Sequence, residues 1–310
     1  MACRSILNAS ALLTLLLVTA CGGGGGEATP AATTTTPPIA QTPVTEAATA
    51  GARLQASAAG YALDTPDVPV SAYQQTRWKA FLVAGNTQEP VFDNFVLSFS
   101  KWLGQRGVSS IEILQAKSPN VTLRSSSENI LSALVRGAPG PNEGCLVYMT
   151  SHGSGDSPQA KGGLWLAPAG GREETLTPVA LNEMLGNSCG TRPTVVVLSG
   201  CYTGVYMNDA IAAPNRIVLT AARADRTSFG CEATGDYTFF DKCVLQNLDT
   251  AGTVQKLTEK VRACVGKREA DEKFTPSEPQ AFFGRDMRDL ALPALPAATA
   301  SELAALDSQP

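Results

Sequence analysis

The pattern that most constrains the fold is a regular alternation of apolar runs with amphipathic segments between about residues 78 and 284. Short continuous apolar runs predict buried strands, and apolar residues spaced three or four apart predict helices. Alternation of the two is typical of a parallel sheet with helices on both faces. The sequence therefore predicts a three-layer α/β fold with a mostly parallel central sheet flanked by helices.

The individual elements follow from this pattern. Six segments are predicted as strands: 78–85, 110–116, 145–151, 194–200, 216–222 and 280–284. Five are predicted as helices: 89–107, 125–137, 179–187, 239–248 and 253–267. The segment "GGLWLAP" (162–168) predicts a small hairpin.

The N-terminus carries features of export. Residues 1–20 hold one basic residue, Arg4, followed by an apolar run, which predicts a signal peptide. The run ends in "LVTAC" and resembles a bacterial lipoprotein box, in which Cys21 receives lipid. Gly22 rather than Asp follows, and by resemblance to enterobacterial sorting this favours an outer-membrane anchor facing the periplasm.

Composition sets the domain boundaries. Residues 21–60, the lipidated Cys and a Gly/Pro/Thr-rich stretch, hold few large apolar side chains and predict a disordered tether. Residues 61–290 are predicted to form one sizeable α/β domain, and the Ala/Pro-rich residues 291–310 a flexible tail.

The net charge and the histidine and cysteine content argue against nucleic-acid binding and against a metal site. The net charge is −4 without a basic run, so nucleic acid is not an expected partner. A single histidine rules out a multi-histidine metal site, and no C-x-x-C spacing suggests a zinc site. No metal or cofactor is therefore expected, and the expected membrane contact is the lipid on Cys21.

The chain's one histidine and a cysteine both follow predicted strands. His152 comes directly after the strand ending in "YMTS", and Cys201 after the strand ending in "LSG". Consecutive parallel strands are usually neighbours, and ligands bind beyond their carboxyl ends. We therefore expect His152 and Cys201 to lie at the same edge of the sheet.

This pairing of residue types is suited to nucleophilic catalysis. A thiol is mostly protonated at neutral pH, and a nearby imidazole can take its proton. Gly153 and Gly200 permit sharp turns and close approach. The backbone N–H groups of Gly153 and Cys201 are candidate donors to an oxyanion.

Four segments resemble the legumain family, which are caspase-like cysteine peptidases. These segments are "TSHGS" (150–154), "LSGCYTG" (198–204), "VLTAARADRTSFGC" (218–231) and "YTFFDKC" (237–243). The resemblance spans roughly 78–290 and is nearest to a bacterial branch. It implies a caspase-like fold and a peptide or protein substrate.

The resemblance also assigns roles. It implies that Cys201 is the nucleophile and His152 the base, with Thr227, Ser228 and Asp241 lining the primary specificity pocket. Ser199 stands where legumains have Glu and is expected to contact substrate.

The family's residues after the first strand are not matched here, so either Asn86 or Glu89 is expected to orient His152. The predicted function is a membrane-anchored cysteine endopeptidase acting through an acyl-enzyme. The alternatives are a transpeptidase using the same two residues, or a caspase-like lipoprotein that only binds.

The remaining cysteines suggest disulfides. Cys145 and Cys189 precede neighbouring predicted strands and are expected to meet at the opposite edge of the sheet. Two of Cys231, Cys243 and Cys264 are expected to pair, with the choice left open.

Overall fold

A computed structural model describes residues 73–86, 89–231 and 235–295. The predicted signal peptide, Cys21 and the tether lie outside the described residues, as does most of the predicted tail. Within the described residues, no helix is long and apolar enough to cross a membrane.

Within the described residues, nine strands form two sheets. In chain order they are β1 (Arg77–Ala84), β2 (Ser110–Gln115), β3 (Glu143–Thr150), β4 (Gly153–Ser154), β5 (Gly163–Leu166), β6 (Glu174–Leu176), β7 (Thr194–Ser199), β8 (Arg216–Thr220) and β9 (Gln280–Phe283). The larger sheet has six strands in the order β2-β1-β3-β7-β8-β9. Its first five strands are mutually parallel and β9 is antiparallel to β8.

The helices occupy both faces of this sheet. They are α1 (Val91–Gln105), α2 (Ser127–Arg136), α3 (Pro178–Ser188), α4 (Phe239–Ala251) and α5 (Val254–Asp271). Ser or Thr side chains cap the N-termini of α2 to α5, each accepting a hydrogen bond from a backbone N–H in the first turn. The predicted α/β fold with a mostly parallel central sheet flanked by helices is confirmed.

The alternation of side chains along each strand divides the core in two. In β7, Val195 and Val197 pack with α1, α4 and α5, whereas Val196 and Leu198 pack with α2 and α3. Both faces are therefore apolar, and this is why the central strands are continuous apolar runs in the sequence.

The predicted hairpin at 162–168 is instead one strand of a three-stranded antiparallel sheet. β5 lies between β4 and β6, with Gly153 opposite Leu164 and Leu164 opposite Leu176. The Tyr206 hydroxyl joins β5 to β6, accepting from the Leu164 N–H and donating to the Leu176 carbonyl. The segment pairs with strands on both sides of it in the chain rather than folding back on itself, which a local pattern does not reveal.

The chain past residue 290 is also better ordered than its composition predicts. Val254 N–H donates to the Leu290 carbonyl, and Leu292 N–H donates to the Gly252 carbonyl. The apolar side chains of Leu290 and Leu292 pack against the α4–α5 side of the core. The predicted boundary of the flexible tail at 291 therefore falls inside a packed segment.

Two disulfides cross-link the part of the chain that the structure describes. Cys145 and Cys189 are joined, which confirms the predicted pairing. The second disulfide joins Cys243 to Cys264 and links α4 to α5. Cys231 lies outside both disulfides, so the choice among the last three cysteines is resolved.

Candidate active site

The carboxyl edges of two adjacent strands place His152 and Cys201. β3 and β7 are parallel neighbours, with Thr150 opposite Ser199 at their ends. His152 and Cys201 each follow two positions later, and both are partly exposed. The prediction that these residues emerge together is confirmed.

Glycines let the two backbones touch. A Cβ added at Gly153 would lie 2.2 Å from the Cys201 carbonyl oxygen, and one added at Gly200 would lie 2.6 Å from the Ser151 carbonyl oxygen. Neither distance is tolerated between heavy atoms that are not bonded. The close approach that the sequence suggested therefore requires glycine at both positions.

The Cys201 thiol contacts Ser228. The Ser228 backbone N–H donates to Sγ at 3.3 Å, and Sγ lies 3.4 Å from the Ser228 carbonyl oxygen. The next residue, Tyr202, adopts a left-handed conformation with φ of 60° and donates its N–H to the Arg226 carbonyl. The turn that carries the thiol is thus bonded to the loop that was predicted to line the pocket.

His152 is held by Glu89. Its Nε2 lies 2.8 Å from Glu89 Oε2, and the two side chains are each about one-fifth exposed. Phe92 packs edge-on against the imidazole with ring centroids 5.3 Å apart. Of the two predicted orienting residues, Glu89 is thus the one bonded to Nε2, and Asn86 is buried in the loop after β1.

This contact determines which imidazole nitrogen is available. A carboxylate accepts hydrogen bonds, so Nε2 carries the hydrogen and Nδ1 of the neutral ring keeps its lone pair. The hydrogen bonds of the His152 and Cys201 side chains run to Glu89 and Ser228 rather than to each other. Such separation is compatible with catalysis, because catalytic contacts often tighten when substrate binds.

The Gly153 amide is directed away from the small sheet. Trp165 N–H donates to the His152 carbonyl, so the next pair, Gly153 and Leu164, is a non-hydrogen-bonded pair of the β4–β5 ladder. Consistent with this, the Leu164 N–H is bound on the far side by Tyr206. The Gly153 N–H therefore points away from β5, and the Cys201 backbone lies next to Gly153.

The predicted pocket residues fall into two groups. Thr227 is exposed and Ser228 is partly buried against the thiol, both on the loop after β8. Ser199 and Asp241 are 1% and 0% exposed and lie beneath the site. The structure therefore brings Thr227 and Ser228 to the surface of the site, but not Ser199 or Asp241.

Asp241 organises the layer below. It accepts hydrogen bonds from the Tyr148 hydroxyl at 2.8 Å and the Thr150 hydroxyl at 2.7 Å, while its own N–H binds the capping Thr238. Burial raises the pKa of Asp241, and hydrogen bonds from Thr150, Tyr148 and others oppose the rise. Burial, and then the Asp241 charge, raise the pKa of Tyr148 well above its usual value. Asp241 thus ties the N-terminus of α4 to β3.

Sequence reasoning did not identify the residues that hold the loop after β8. Arg223 binds Asp225 through two nitrogens and Glu278 through a third. The pKa of Asp225 is lowered to about 2, chiefly by its hydrogen bond from Arg223. Because Glu278 precedes β9, this part of the site depends on a contact 55 residues away that no local motif encodes.

Comparison with known proteins gives one family and a distant structural likeness. The model of the family described as "Peptidase C13 family" matches residues 124–288, more than half of the chain. The matched segment includes His152, Cys201, the loop after β8 and Asp241, but not Glu89. No curated protein matches the chain.

Among solved structures, that of caspase-1 from Spodoptera frugiperda is similar, with a TM-score of 0.48 and 14% sequence identity. The similarity covers 73% of this chain and 93% of that one.

Proposed function

The chain belongs to the peptidase C13 family, the legumain family of cysteine peptidases, and from this premise we propose that Cys201 and His152 together cleave peptide bonds. The observation that carries the proposal is their placement. The chain's one histidine and a partly exposed thiol follow adjacent parallel strands, with their backbones in contact through Gly153.

The proposed first step forms an acyl-enzyme. The Cys201 thiol gives its proton to Nδ1 of His152, and the sulfur attacks the carbonyl carbon of the scissile bond. The C–N bond then breaks, and the leaving nitrogen takes the proton from the imidazolium. In the second step, water gives a proton to His152 and its oxygen attacks the thioester carbon. The C–S bond then breaks, the product leaves with a carboxyl group, and the Cys201 sulfur takes the proton back from the imidazolium.

Backbone and carboxylate groups complete the proposed machinery. The N–H groups of Gly153 and Cys201 are the donors proposed for the oxyanion that forms at each attack. Glu89 is a positioning residue, because it contacts His152 and not the reacting atoms. Its hydrogen bond holds the imidazole in the tautomer that the first proton transfer requires.

On the acyl side, we propose that the loop after β8 binds the residue whose carbonyl is attacked. Ser228 contacts the thiol directly and Thr227 is exposed next to it. Ser199 and Asp241 act on this subsite from below, by fixing β7, β3 and the start of α4.

A second outcome of the same chemistry is transpeptidation. If an amine replaces water at the thioester, the same acyl-enzyme yields a new peptide bond. Both reactions use Cys201 and His152, so the product separates them. A binding-only role is the remaining alternative, and it does not require a reactive thiol.

We propose that the enzyme works in the bacterial cell envelope, anchored to the outer membrane through lipid on Cys21 and facing the periplasm. The "LVTAC" sequence supports the anchor. The two disulfides support an oxidising compartment, since disulfides are rare in the cytosol.

The experiment that tests the function is digestion of a peptide library by the full-length chain, with products identified by mass spectrometry. Wild type should release defined fragments, and Cys201→Ala should release none, with a loss of roughly 10⁴-fold or more. Cys231→Ser is the matched control and should cleave like wild type. Cleavage by Cys201→Ala at the wild-type rate would refute the assigned nucleophile, and no Cys201-dependent cleavage of any peptide would leave the binding-only alternative.

Thiol labelling provides a second readout. Iodoacetamide should modify Cys201 before Cys231, and His152→Ala should slow this labelling at neutral pH. The rate should recover partly in alkaline buffer, where a thiol ionises without a base. Equal labelling of wild type and His152→Ala at neutral pH would contradict the assigned base.

A further inference from the structure

Trp165 presents an exposed aromatic ring beside His152. Its side chain is 47% exposed, although its neighbours Leu164 and Leu166 are 0% and 1% exposed. The rings of Trp165 and His152 have centroids 6.1 Å apart. Successive side chains of a strand point to opposite faces, so β5 buries its two leucines and turns the indole outward at the site.

The backbone of Trp165 is fixed on both sides. Its N–H donates to the His152 carbonyl at 2.9 Å, and its carbonyl accepts from the Ser151 hydroxyl at 2.6 Å. These bonds run to the histidine itself and to the residue before it. The indole is therefore held on a rigid strand in a constant relation to the imidazole, as a specificity surface requires.

We infer that Trp165 binds the first side chain on the leaving-group side of the cleaved bond and favours a large apolar residue there. The inference rests on the proposed function, in which His152 gives a proton to the leaving nitrogen. That nitrogen must approach the imidazole, and the Cα that carries the side chain lies one bond of about 1.46 Å beyond it. The side chain then falls within reach of the indole.

Phe92 and Ser228, the other neighbours of the reacting groups, lie on other sides of the site than the Trp165 ring. Phe92 covers the ring edge-on from the core and is 1% exposed. Ser228 lies at the thiol, on the side assigned to the acyl residue. A flat, half-exposed indole gains from contact with an aliphatic or aromatic side chain, because that contact removes apolar surface from water.

The test begins with a peptide that the full-length enzyme cleaves in the library. It is resynthesised with Gly, Ala, Leu, Phe or Lys at the first position after the cleaved bond, and kcat and KM are measured for each. Wild type should favour Leu and Phe over Gly by roughly tenfold in kcat/KM. Trp165→Ala should remove this preference, so that kcat/KM for the Leu and Phe peptides falls by roughly tenfold relative to that for the Gly peptide, and Trp165→Phe should restore part of it.

Two controls separate specificity from damage. Leu97→Ala removes a side chain that is 50% exposed on α1, and it should keep the wild-type preference. Labelling by a peptidyl chloromethyl ketone involves no residue on the leaving-group side, because chloride departs. Trp165→Ala should therefore be labelled at nearly the wild-type rate.

Several results would overturn the inference. A uniform loss over all five peptides, with slower labelling, would mean that Trp165 only supports His152. No preference in wild type, or a preference for Lys that depends on Trp165, would exclude an apolar subsite. If wild type and Cys201→Ala are equally inactive on the whole library, the proposed function itself fails. If wild type cleaves the library and Trp165→Ala shows the same residue preference, only the inference about Trp165 fails.

Discussion

Glu89 Oε2 lies 2.8 Å from Nε2 of His152, so a residue from the loop after β1 orients the ring that follows β3. The two residues are 63 positions apart, and β1 and β3 are neighbours in the sheet. In the proposed mechanism, this contact leaves Nδ1 of His152 for proton transfer.

Removing this carboxylate should impair catalysis more than folding. Glu89→Ala should lower kcat by roughly 10²-fold, because the imidazole loses its fixed tautomer and orientation. Glu89→Gln should recover part of the rate, since its amide oxygen can accept the same hydrogen. The measurement is kcat on a library-derived peptide. Glu112→Ala, which removes a surface partner of Arg136, is the control and should leave kcat unchanged. An unaltered rate in Glu89→Ala would refute the positioning role.

Gly153 should tolerate no side chain. In Gly153→Ala the new Cβ would meet the Cys201 carbonyl oxygen at 2.2 Å, so the two turns must separate. We expect a loss of activity of at least about 10²-fold and a destabilisation of roughly 1–3 kcal/mol.

Gly186→Ala is the matched control, because a Cβ at this position in α3 meets nothing within 4 Å. It should stabilise the protein by about 0.5–1 kcal/mol without affecting activity. Chemical denaturation and peptide cleavage measure both variants, and a fully active Gly153→Ala would show that the close approach is dispensable.

Substitution of Asp241 should reduce the stability of the protein more than it changes the substrate preference. Asp241→Ala leaves the buried hydroxyls of Tyr148 and Thr150 without their acceptor, and we expect a loss of roughly 2–4 kcal/mol. Tyr148→Phe, which removes a single donor, should cost less. A variant with wild-type stability but altered residue preference would instead place Asp241 in direct contact with substrate.

The pH dependence of this effect has a defined sign. Burial raises the pKa of Asp241 above its usual 3.8, so the folded state holds the proton more tightly than the unfolded state. The carboxyl's contribution to stability is therefore fully present below pH 3.8 and is lost as the pH rises through the folded-state pKa. Relative to Asp241→Asn, wild type should be more stable in acid than at pH 7. Free energies of unfolding across this range test the prediction, and the opposite trend would contradict it.

The proposed anchor gives a simple labelling test. Wild type expressed in a bacterial host with radiolabelled palmitate should incorporate the label, and Cys21→Ser should not. Cys231→Ser serves as the matched cysteine control and should be labelled like wild type. Incorporation into Cys21→Ser would remove the lipid anchor from the proposal.

The six strands of the larger sheet and the five helices were identified in chain order from the sequence alone, because burial on both faces of a parallel sheet demands continuous apolar runs. The same runs located His152 and Cys201, since each follows directly on a strand end and consecutive strands are usually adjacent. The pairing of Cys145 with Cys189 followed from the same reasoning. These features depend on local pattern and on simple rules of connection.

Other features were decided by the tertiary structure, because they depend on contacts between segments distant in sequence. The choice of Glu89 over Asn86 depends on how the loop after β1 meets the end of β3. The burial of Asp241 depends on where α4 docks beneath β3 and β7. In the sequence, Trp165 is one residue of an apolar run. The structure shows that it lies between two buried leucines of β5, with its ring beside His152.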